Sequence, residues 1–251
     1  MTSQINWEKY QPVQQAHLNV KSTQDRRECD ITGMEFLHPN IFILADYYNK
    51  CVKCVDVDTG DITGYLSLPA FPWDITTLGL NQAAVTLPDI QGIHAVFTKL
   101  DSSLIRTIKV DGECHGICST IDNTLVITFI NQGKVPVLDE HGTVLCEMER
   151  SADSKVQLNF PHYVLVVSEN DNDVIYVSDQ NTHTPTKFSL TGQILLTYRD
   201  NDLQWPHRFT VTDDGHVLIC GWTSNNFQVA SRNGKKVRTL LCKENSIVHL
   251  S

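Results

Sequence analysis

The sequence predicts an all-β protein that is built from repeated units of about four strands. The clearest unit extends from Cys29 to Ile62 and contains three short apolar runs separated by polar turns. Short runs rich in β-branched and aromatic residues between Gly, Pro, Asn and Asp clusters are typical of strands joined by tight turns. The pattern recurs roughly every 45 residues without helical periodicity, which is typical of the blades of a β-propeller. The predicted strands of this unit are Ile31–Leu37, Ile41–Ala45 and Cys51–Val57.

Each unit opens on a short strand that can be aligned with the others. Pro72, Pro161 and Pro206 precede three of these openings, where the missing backbone N–H is tolerated because a strand is beginning. The aligned openings are Cys29-Asp30-Ile31, Trp73-Asp74-Ile75, His115-Gly116-Ile117, His162-Tyr163-Val164 and His207-Arg208-Phe209.

The later units repeat the pattern with local changes. Pro136 lies inside a predicted strand of the third unit, which indicates a weakened or exposed strand. The fourth unit has an Asn/Asp turn between two apolar runs, and Asp214-Gly215 is a strong hairpin signal in the fifth. After the first unit, the units span Pro72–Leu104, Cys114–Leu145, Pro161–Leu195 and Pro206–Val237.

The two ends of the chain predict a sixth blade. Lys236–Leu241 has the pattern of an outer strand, and Ser246–Leu250 resembles the opening strand of one more unit. Gln14–Ser22 alternates well enough to supply the last strand of that blade and so to close the ring. We therefore predict a lead-in segment at residues 1–13 and a propeller at residues 14–251. It is nominally six-bladed, with an incomplete last blade closed by the N-terminal strand, and we expect the incomplete blade to reflect a truncated product.

Composition sets the class of protein and of partner. Charged residues make up 20% of the chain, and the net charge of −9 disfavours phosphate backbones as the main ligand. No apolar run is long enough to cross a membrane. The N-terminus lacks the basic start and apolar core of a signal peptide, and the eight cysteines are most simply reduced thiols. We expect a cytoplasmic protein that does not enter membranes.

Two motifs carry a resemblance to a known family. These are the A-D-x-x-N-x-x-V-K turn at Ala45–Lys53 and the D-D-G-x-V-L-I run at Asp213–Ile219. Together with the unit openings, they resemble the NHL-repeat β-propellers of tripartite-motif proteins over about residues 14–251. The resemblance implies a recognition domain that binds a protein or, in some relatives, RNA. The family's ubiquitin-ligase activity resides in a RING finger, and no RING, B-box or coiled-coil pattern occurs in this sequence, so we predict no catalysis.

The resemblance also implies a binding face. In the family, the ligand meets the loops that lead into each inner strand and the turns between the second and third strands. Exposed aromatic residues, His and Arg are the types that anchor interfaces. The alternative is that these rings cover the ends of the core. The candidate residues are Trp73, His115, His162, Tyr163, His207 and Arg208 from the loops, and Tyr47, Tyr48, Gln91, Gln132, His183, Trp222 and Asn225 from the turns.

Two residue patterns raise the possibility of a metal. His115, His162 and His207 occupy equivalent repeat positions and could meet in a central channel, where imidazoles bind zinc or copper. Some enzymes of the wider NHL-like group hold a metal there, but no carboxylate base stands at a matching position. Cys51 and Cys54 have ligand spacing, yet residues three apart in a strand point to opposite faces. We therefore predict no metal and no cofactor, with a weak metal candidate at the histidines.

Protein is thus the predicted ligand. An RNA-binding propeller is the first alternative. The only tight basic cluster of the sequence, Lys235–Arg238, lies along a strand edge, where charged residues more often prevent aggregation than bind RNA. A channel-metal enzyme is the second alternative. The pattern does not indicate an oligomeric state.

Overall fold

A computed structural model describes residues 5–12, 18–79, 81–97, 103–149, 158–169 and 172–241. These residues form five antiparallel sheets of four strands each, and in every sheet the strands follow one another in sequence order. The prediction of six blades, with an incomplete sixth, is wrong: the described residues contain five complete units. Residues 18–22, which we predicted to close the ring as part of a strand, have no regular structure. The other residues of that predicted strand and Ser246–Leu250 lie outside the described residues.

The strand bounds follow the predicted units closely. Sheet 1 contains β1 (Ile31–His38), β2 (Ile41–Asp46), β3 (Cys51–Asp56) and β4 (Ile62–Ser67). Sheet 2 contains β5 (Ile75–Leu78), β6 (Gln82–Leu87), β7 (Gly92–Phe97) and β8 (Ser103–Lys109), with a single 3₁₀ turn at Pro88–Ile90. Sheet 3 contains β9 (Cys114–Ser119), β10 (Leu125–Phe129), β11 (Lys134–Leu138) and β12 (Val144–Glu149). Sheet 4 contains β13 (Pro161–Glu169), β14 (Asn172–Asp179), β15 (Thr184–Ser189) and β16 (Ile194–Thr197), and sheet 5 contains β17 (Pro206–Val211), β18 (Val217–Gly221), β19 (Asn226–Ala230) and β20 (Lys236–Leu241).

The chain divides into two compact units. The first is Ala16–Glu147, and the second is Met148–Leu250 together with Met1–Gln15. None of the helical structure in the described part of the chain has the length and apolar character needed to cross a membrane.

In the first unit, sheet 2 is covered on both faces. Alternate residues of β6, Ala83 and Val85, contact the buried side chains of sheet 1, while Ala84 contacts those of sheet 3. Successive strand residues point to opposite faces, so a strand covered on both sides is largely apolar, as Ala83, Ala84 and Val85 of β6 are. The buried hydroxyl of Thr86 in the same strand donates to the carbonyl of His115 at 2.6 Å. Gly33 of β1 allows sheets 1 and 2 to approach closely, since a Cβ there would lie 2.9 Å from the Asp74 Cα. Pro136 is buried inside β11, which has a neighbouring strand on each side.

In the second unit, sheets 4 and 5 share a core that includes Tyr176, Leu203 and Ile219. A separate cluster on sheet 5 joins Val229 and Leu240 to Trp7 of the N-terminal segment. This part of the predicted lead-in is therefore anchored to sheet 5 and is not loosely attached.

The turns between the second and third strands share one backbone feature. A left-handed residue occupies the same place in all five turns, which brings the chain back into the third strand. In four of the sheets this residue is not glycine, so the turn geometry is held against a steric preference. The five residues are Lys50 (φ 49°), Gln91 (φ 48°), Gly133 (φ 64°), His183 (φ 56°) and Asn225 (φ 46°).

Candidate aromatic binding surfaces

The predicted face residues assemble into two groups of rings, one in each compact unit. The first aromatic group consists of Tyr47, Tyr48, Phe71, Trp73 and His115. The second aromatic group consists of Phe160, His162, Tyr163, Trp205, His207, Arg208 and Trp222. In both groups the side chains come from the loops that precede the inner strands, from the first residues of those strands, or from the turns between second and third strands.

The first aromatic group is continuous across three sheets. The Tyr47 ring stacks on Phe71 with centroids 4.7 Å apart, and it meets Tyr48 at 5.4 Å and Trp73 at 5.8 Å edge-on. Trp73 in turn contacts His115 with centroids 4.7 Å apart. Tyr48 is 47% exposed and forms the accessible part of the group.

A buried carboxylate positions the turn that carries the two tyrosines. Oδ1 of Asp46 accepts hydrogen bonds from the backbone N–H groups of Asp30 (3.2 Å) and Asn49 (3.4 Å). Oδ2 accepts from Nδ2 of Asn49 at 2.9 Å. Because Asp46 ends β2 and Asn49 lies three residues later, the Ala45–Lys53 motif fixes the turn between them. Burial opposes ionisation of Asp46, yet hydrogen bonds from Lys53 and Asn49 hold the pKa of its carboxyl below the ordinary value.

Asp179 of sheet 4 holds the backbone of its turn in the way that Asp46 does in sheet 1. It accepts hydrogen bonds from the backbone N–H groups of Asn159 (2.5 Å), Phe160 (2.9 Å) and Thr182 (2.9 Å). One aspartate thus ties the loop before the inner strand to the turn after the second strand. The first of these segments carries Phe160, and the second carries His183, whose Nδ1 accepts the backbone N–H of Trp205 at 3.1 Å.

Four rings of the second group form a row. Phe160 lies 5.9 Å from His162, His162 lies 5.2 Å from His207, and His207 lies 5.2 Å from Trp222, all measured between centroids. Tyr163 meets the His207 ring edge-on at 4.3 Å.

An arginine cation and a second indole accompany this row of rings. The guanidinium carbon of Arg208 lies 4.4 Å from the centroid of Tyr163, within the range of a cation–π interaction. Trp222 is 51% exposed and Trp205 is 41% exposed. Trp205 has a left-handed backbone (φ 51°), which its N–H donation to Nδ1 of His183 (3.1 Å) helps to hold. The backbone N–H of Trp222 donates to the carbonyl oxygen of Trp205 at 2.9 Å, so the two exposed indoles project from adjacent backbone positions.

Two histidines of the second aromatic group, His162 and His207, are held uncharged. Burial, with a smaller effect of Arg208, lowers the pKa of His207 to about 3. Nδ1 of His162 lies 3.0 Å from Nε2 of Gln180, and because an amide nitrogen can only donate, Nδ1 accepts and the ring is neutral. His183 likewise accepts through Nδ1 from Trp205.

Two neighbouring features act on the pKa of His115 in the first aromatic group. Burial lowers the pKa of His115, while Glu113, with Oε1 3.4 Å from Nε2, acts in the opposite direction. Asn131 holds that carboxylate by donating to Oε2 at 2.5 Å.

The structure therefore groups most of the predicted residues, and some of them are covered. His162 and Tyr163 are buried, as the alternative interpretation required, whereas Tyr48 and Trp222 are exposed. Asn225 is exposed in the turn after Trp222 and donates to the carbonyl of Thr223 at 3.4 Å. Gln91 is exposed, and Gln132 donates to the carbonyl of Asp111 at 3.0 Å.

Sequence reasoning missed three rings, although a signal was present. Phe71, Phe160 and Trp205 each stand directly before a proline that opens a unit. The backbone of a residue before proline is sterically restricted, and Trp205 adopts a left-handed conformation there (φ 51°). An aromatic residue before each opening proline was the pattern that could have found them.

One group of potential metal ligands exists among the described residues, and none of the three predicted histidines belongs to it. It consists of Asp25, Asp46 and Cys51, whose ligand atoms lie within 4.8 Å of one another. The ammonium of Lys53 occupies this cluster, with Nζ 2.7 Å from Oδ2 of Asp25 and 2.7 Å from Oδ2 of Asp46. Nζ also donates to the carbonyl of Val20 at 3.0 Å. The Lys53 ammonium already pairs with both carboxylates, so the cluster is a buried ionic network.

The thiols of Cys51 and Cys54, near this cluster, are held in the protonated, unreactive form. Burial raises the pKa of Cys51 to about 12 and that of Cys54 to about 11. Cys54 belongs to the core between sheets 1 and 2, whereas Cys51 lies beside Asp25 and Asp46. All seven cysteines of the described part of the chain are free.

Comparison with known proteins identifies the fold. No family profile and no curated protein matches the chain. Solved structures do match, among them an inactive virginiamycin B lyase from Staphylococcus aureus with quinupristin (TM-score 0.68, 14% identity, 86% of this chain and 71% of that chain). A chain of a nidogen/laminin complex matches with TM-score 0.69 and 14% identity over 87% of this chain and 82% of the other. The β-propeller domain of Cps50 (Swd1) from Myceliophteria thermophila matches with TM-score 0.65 and 13% identity over 84% and 73%. The fold is therefore an all-β propeller with five four-stranded blades.

Proposed function

We propose that this chain is a non-catalytic protein-interaction module that contacts its partner through the two aromatic groups. The observation that carries the proposal is the solvent exposure of three large aromatic side chains. Tyr48 is 47% exposed, Trp205 is 41% exposed and Trp222 is 51% exposed. Tyrosine, tryptophan and arginine are the residues that most often carry the binding energy of protein interfaces.

The backbone around these rings supports an interface function. Asp46 fixes the turn that presents Tyr48, and the Trp222 ring lies against the His207 ring with centroids 5.2 Å apart. A side chain that is held before binding loses less conformational freedom when the partner arrives, so more of its contact energy contributes to affinity. The similar folds of a nidogen/laminin complex and of the Swd1 propeller are consistent with a protein ligand.

The finer part of the proposal concerns the cellular context. The Ala45–Lys53 turn and the Asp213–Ile219 run favour a tripartite-motif-like recognition domain in the cytoplasm that selects substrates for a ubiquitin ligase. In that arrangement a RING finger outside these residues carries the ligase activity. The net charge of −9 makes protein the preferred ligand over RNA.

The test compares the proteins that bind to wild type with those that bind to surface variants. Tyr48→Ala and Trp222→Ala each remove an exposed ring, and Leu195→Ala is a matched control because Leu195 is 46% exposed on the outer strand β16. We expect quantitative mass spectrometry to show a set of proteins that is reduced at least tenfold by the ring variants and unchanged by the control. Equal binding by all four proteins, or binding that ribonuclease abolishes, would overturn the proposal.

A further inference from the structure

We propose that the first aromatic group binds a segment of a partner protein that carries a lysine side chain. This inference rests on the proposed function and names the class of ligand for one of its two surfaces. It follows from the contacts between the rings, from an ammonium that one ring already holds, and from two carboxylates beside the group.

The rings of the first aromatic group touch one another directly and leave one ring open. Tyr47 stacks on Phe71 with centroids 4.7 Å apart and meets Tyr48 edge-on at 5.4 Å. Tyr48 is 47% exposed, whereas Tyr47 and Phe71 are half-buried. The faces of aromatic rings carry the negative part of the ring quadrupole, so they attract cations. The open part of this group therefore favours a positively charged ligand.

The chain itself shows that these rings accept an ammonium. Nζ of Lys50 lies 4.1 Å from the centroid of the Phe71 ring, which is within the range of a cation–π interaction. Because Phe71 stacks on Tyr47, this ammonium belongs to the same cluster of rings. Among the described residues, no lysine or arginine lies over the Tyr48 ring. That ring is available to the ammonium of a ligand.

Two carboxylates add negative charge to this surface. The carbonyl of Asp30 accepts the backbone N–H of Tyr47 at 2.8 Å, which places Asp30 beside that ring. Asp89 is exposed in the turn at Pro88–Ile90 between β6 and β7. Burial raises the pKa of Tyr47, and the charges of Asp89 and Asp30 raise it further, so both carboxylates lie within electrostatic reach of the Tyr47 hydroxyl.

Asp30 lacks the compensation that Asp46 has. Oδ2 of Asp46 lies 2.7 Å from the ammonium of Lys53. The Asp30 side chain accepts no hydrogen bond in the described part of the chain, and burial together with the charge of Asp46 raises the pKa of its carboxyl. A partly buried carboxylate costs free energy unless a cation or a donor compensates it. A ligand ammonium at the first aromatic group would provide that compensation.

An acidic ligand is disfavoured at this surface. Arg26 and Arg27 attach to the turn through their backbone N–H groups, which donate to Oδ1 of Asn49, both at 3.0 Å. The charges that act on Tyr47 are nevertheless those of carboxylates, and the whole chain carries −9. Complementary charge steers the encounter and suppresses wrong partners, so a basic segment is the preferred occupant. A free amine would satisfy the same charges and is an outcome of the test.

NMR titration of the isotope-labelled chain with synthetic peptides tests the inference. Three short Gly-Ser peptides, acetylated and amidated so that their ends are uncharged, differ only in a central lysine, norleucine or glutamate. Norleucine keeps the alkyl chain and removes the charge. We expect the lysine peptide to bind about fivefold or more tightly than the norleucine peptide, and the glutamate peptide to bind least tightly.

Variants assign the binding to the first aromatic group. We expect Asp30→Asn to weaken the lysine peptide about fivefold and to leave the norleucine peptide unchanged, because it removes charge alone. Tyr48→Ala should weaken both peptides. Asp122→Asn is the control for charge, since Asp122 is exposed in the turn between β9 and β10, outside both groups. Phe36→Ala is the control for ring removal, since Phe36 of β1 is 50% exposed outside both groups.

Lys50→Asn tests the sign of the ligand charge. Asparagine tolerates the left-handed backbone of Lys50 (φ 49°), so the turn is kept. The variant vacates the Phe71 ring and removes a competing positive charge, so we expect the lysine peptide to bind about twofold or more tightly than it binds wild type. A weaker complex would mean that the ligand needs Lys50 and is not a cation, which would overturn the inference.

Other outcomes also overturn it. These are equal binding of the lysine peptide and the norleucine or glutamate peptide, equal losses with Asp122→Asn and Asp30→Asn, equal losses with Phe36→Ala and Tyr48→Ala, or a lysine peptide that shows no saturable binding. Butylamine that binds as tightly as the lysine peptide would identify a free amine as the ligand in place of a protein segment.

The two proposals fail separately. If protein binding depends on Tyr48 while the lysine peptide is not preferred, this inference is wrong and the interaction function stands. If neither depends on Tyr48, both are wrong for this surface.

Discussion

Lys53 and Asp46 form an ion pair with no solvent exposure, in which Nζ of the lysine lies 2.7 Å from Oδ2 of the aspartate. Asp46 uses its other contacts to hold the turn that presents Tyr47 and Tyr48, so the pair supports the first aromatic group. Oδ2 of Asp25 also lies 2.7 Å from Nζ of Lys53, and this second ion pair attaches the segment before β1 to sheet 1. Burial opposes the charge on Lys53, but the two carboxylates hold its pKa above the ordinary value.

Lys53→Met should therefore destabilise the protein strongly. The variant leaves two carboxylates buried without their cation, and breaking a buried pair in this way typically costs about 3–5 kcal/mol. Urea unfolding at pH 7 measures the change. The depressed pKa of Asp46 means that its contribution is present above the unfolded carboxyl pKa of about 4 and is lost as the pH falls below it.

Lys21→Met is the matched control for that measurement. Lys21 pairs with Glu28 at 3.7 Å, but the two side chains are 57% and 94% exposed. Exposed pairs contribute roughly 0–1 kcal/mol. Similar losses for the two variants would show that the buried pair does not stabilise the fold in the way described.

Local patterns explain why some features were predictable and others were not. The Ala45–Lys53 motif predicted the turn because its aspartate and asparagine act within a few residues of each other. Asp25 pairs with Lys53 from a segment without periodicity, 28 residues earlier, and nothing local encodes that contact. The sixth blade was predicted from alternation in Gln14–Ser22 and from the likeness of Ser246–Leu250 to an opening strand, and neither pattern specifies a partner strand. Trp7 was overlooked because its contacts with sheet 5 are made across more than 200 residues of sequence.

Gly33→Ala tests the close approach of sheets 1 and 2. The added Cβ would lie 2.9 Å from the Cα of Asp74 and 2.9 Å from the nitrogen of Ile75, and these are backbone atoms that cannot move independently of β5. We expect a loss of about 1–3 kcal/mol in the free energy of unfolding, as is usual for overpacking. Gly92→Ala is the control because its Cβ would meet the Ile90 side chain at an ordinary 3.6 Å. Equal losses for both variants would contradict the steric explanation.

Trp7 anchors the N-terminal segment to sheet 5. The ring is 6% exposed among Val229 and Leu240, and its Nε1 donates to Oδ2 of Asp214 at 3.0 Å. Trp7→Ala should cost about 3 kcal/mol through lost packing, whereas Trp7→Phe should cost about 1 kcal/mol because it mainly removes the hydrogen bond. Urea unfolding of the two variants separates these contributions. If both variants matched wild type, the segment would not contribute to stability.

His207 predicts a specific pH dependence of stability. Because burial lowers its pKa to about 3, the folded protein resists protonation at a site that takes up a proton near pH 6.5 when unfolded. Between these values the unfolded state binds more protons, so stability falls as the pH decreases from about 6.5, by at most about 1.4 kcal/mol per pH unit for one such group. His207→Asn removes the titrating group and should flatten this part of the curve when unfolding is measured between pH 7.5 and 5.0. His141→Asn, at a side chain that is 72% exposed, should leave the wild-type slope intact. Parallel curves for wild type and His207→Asn would mean that the imidazole titrates equally in both states, and that the second aromatic group does not keep it neutral.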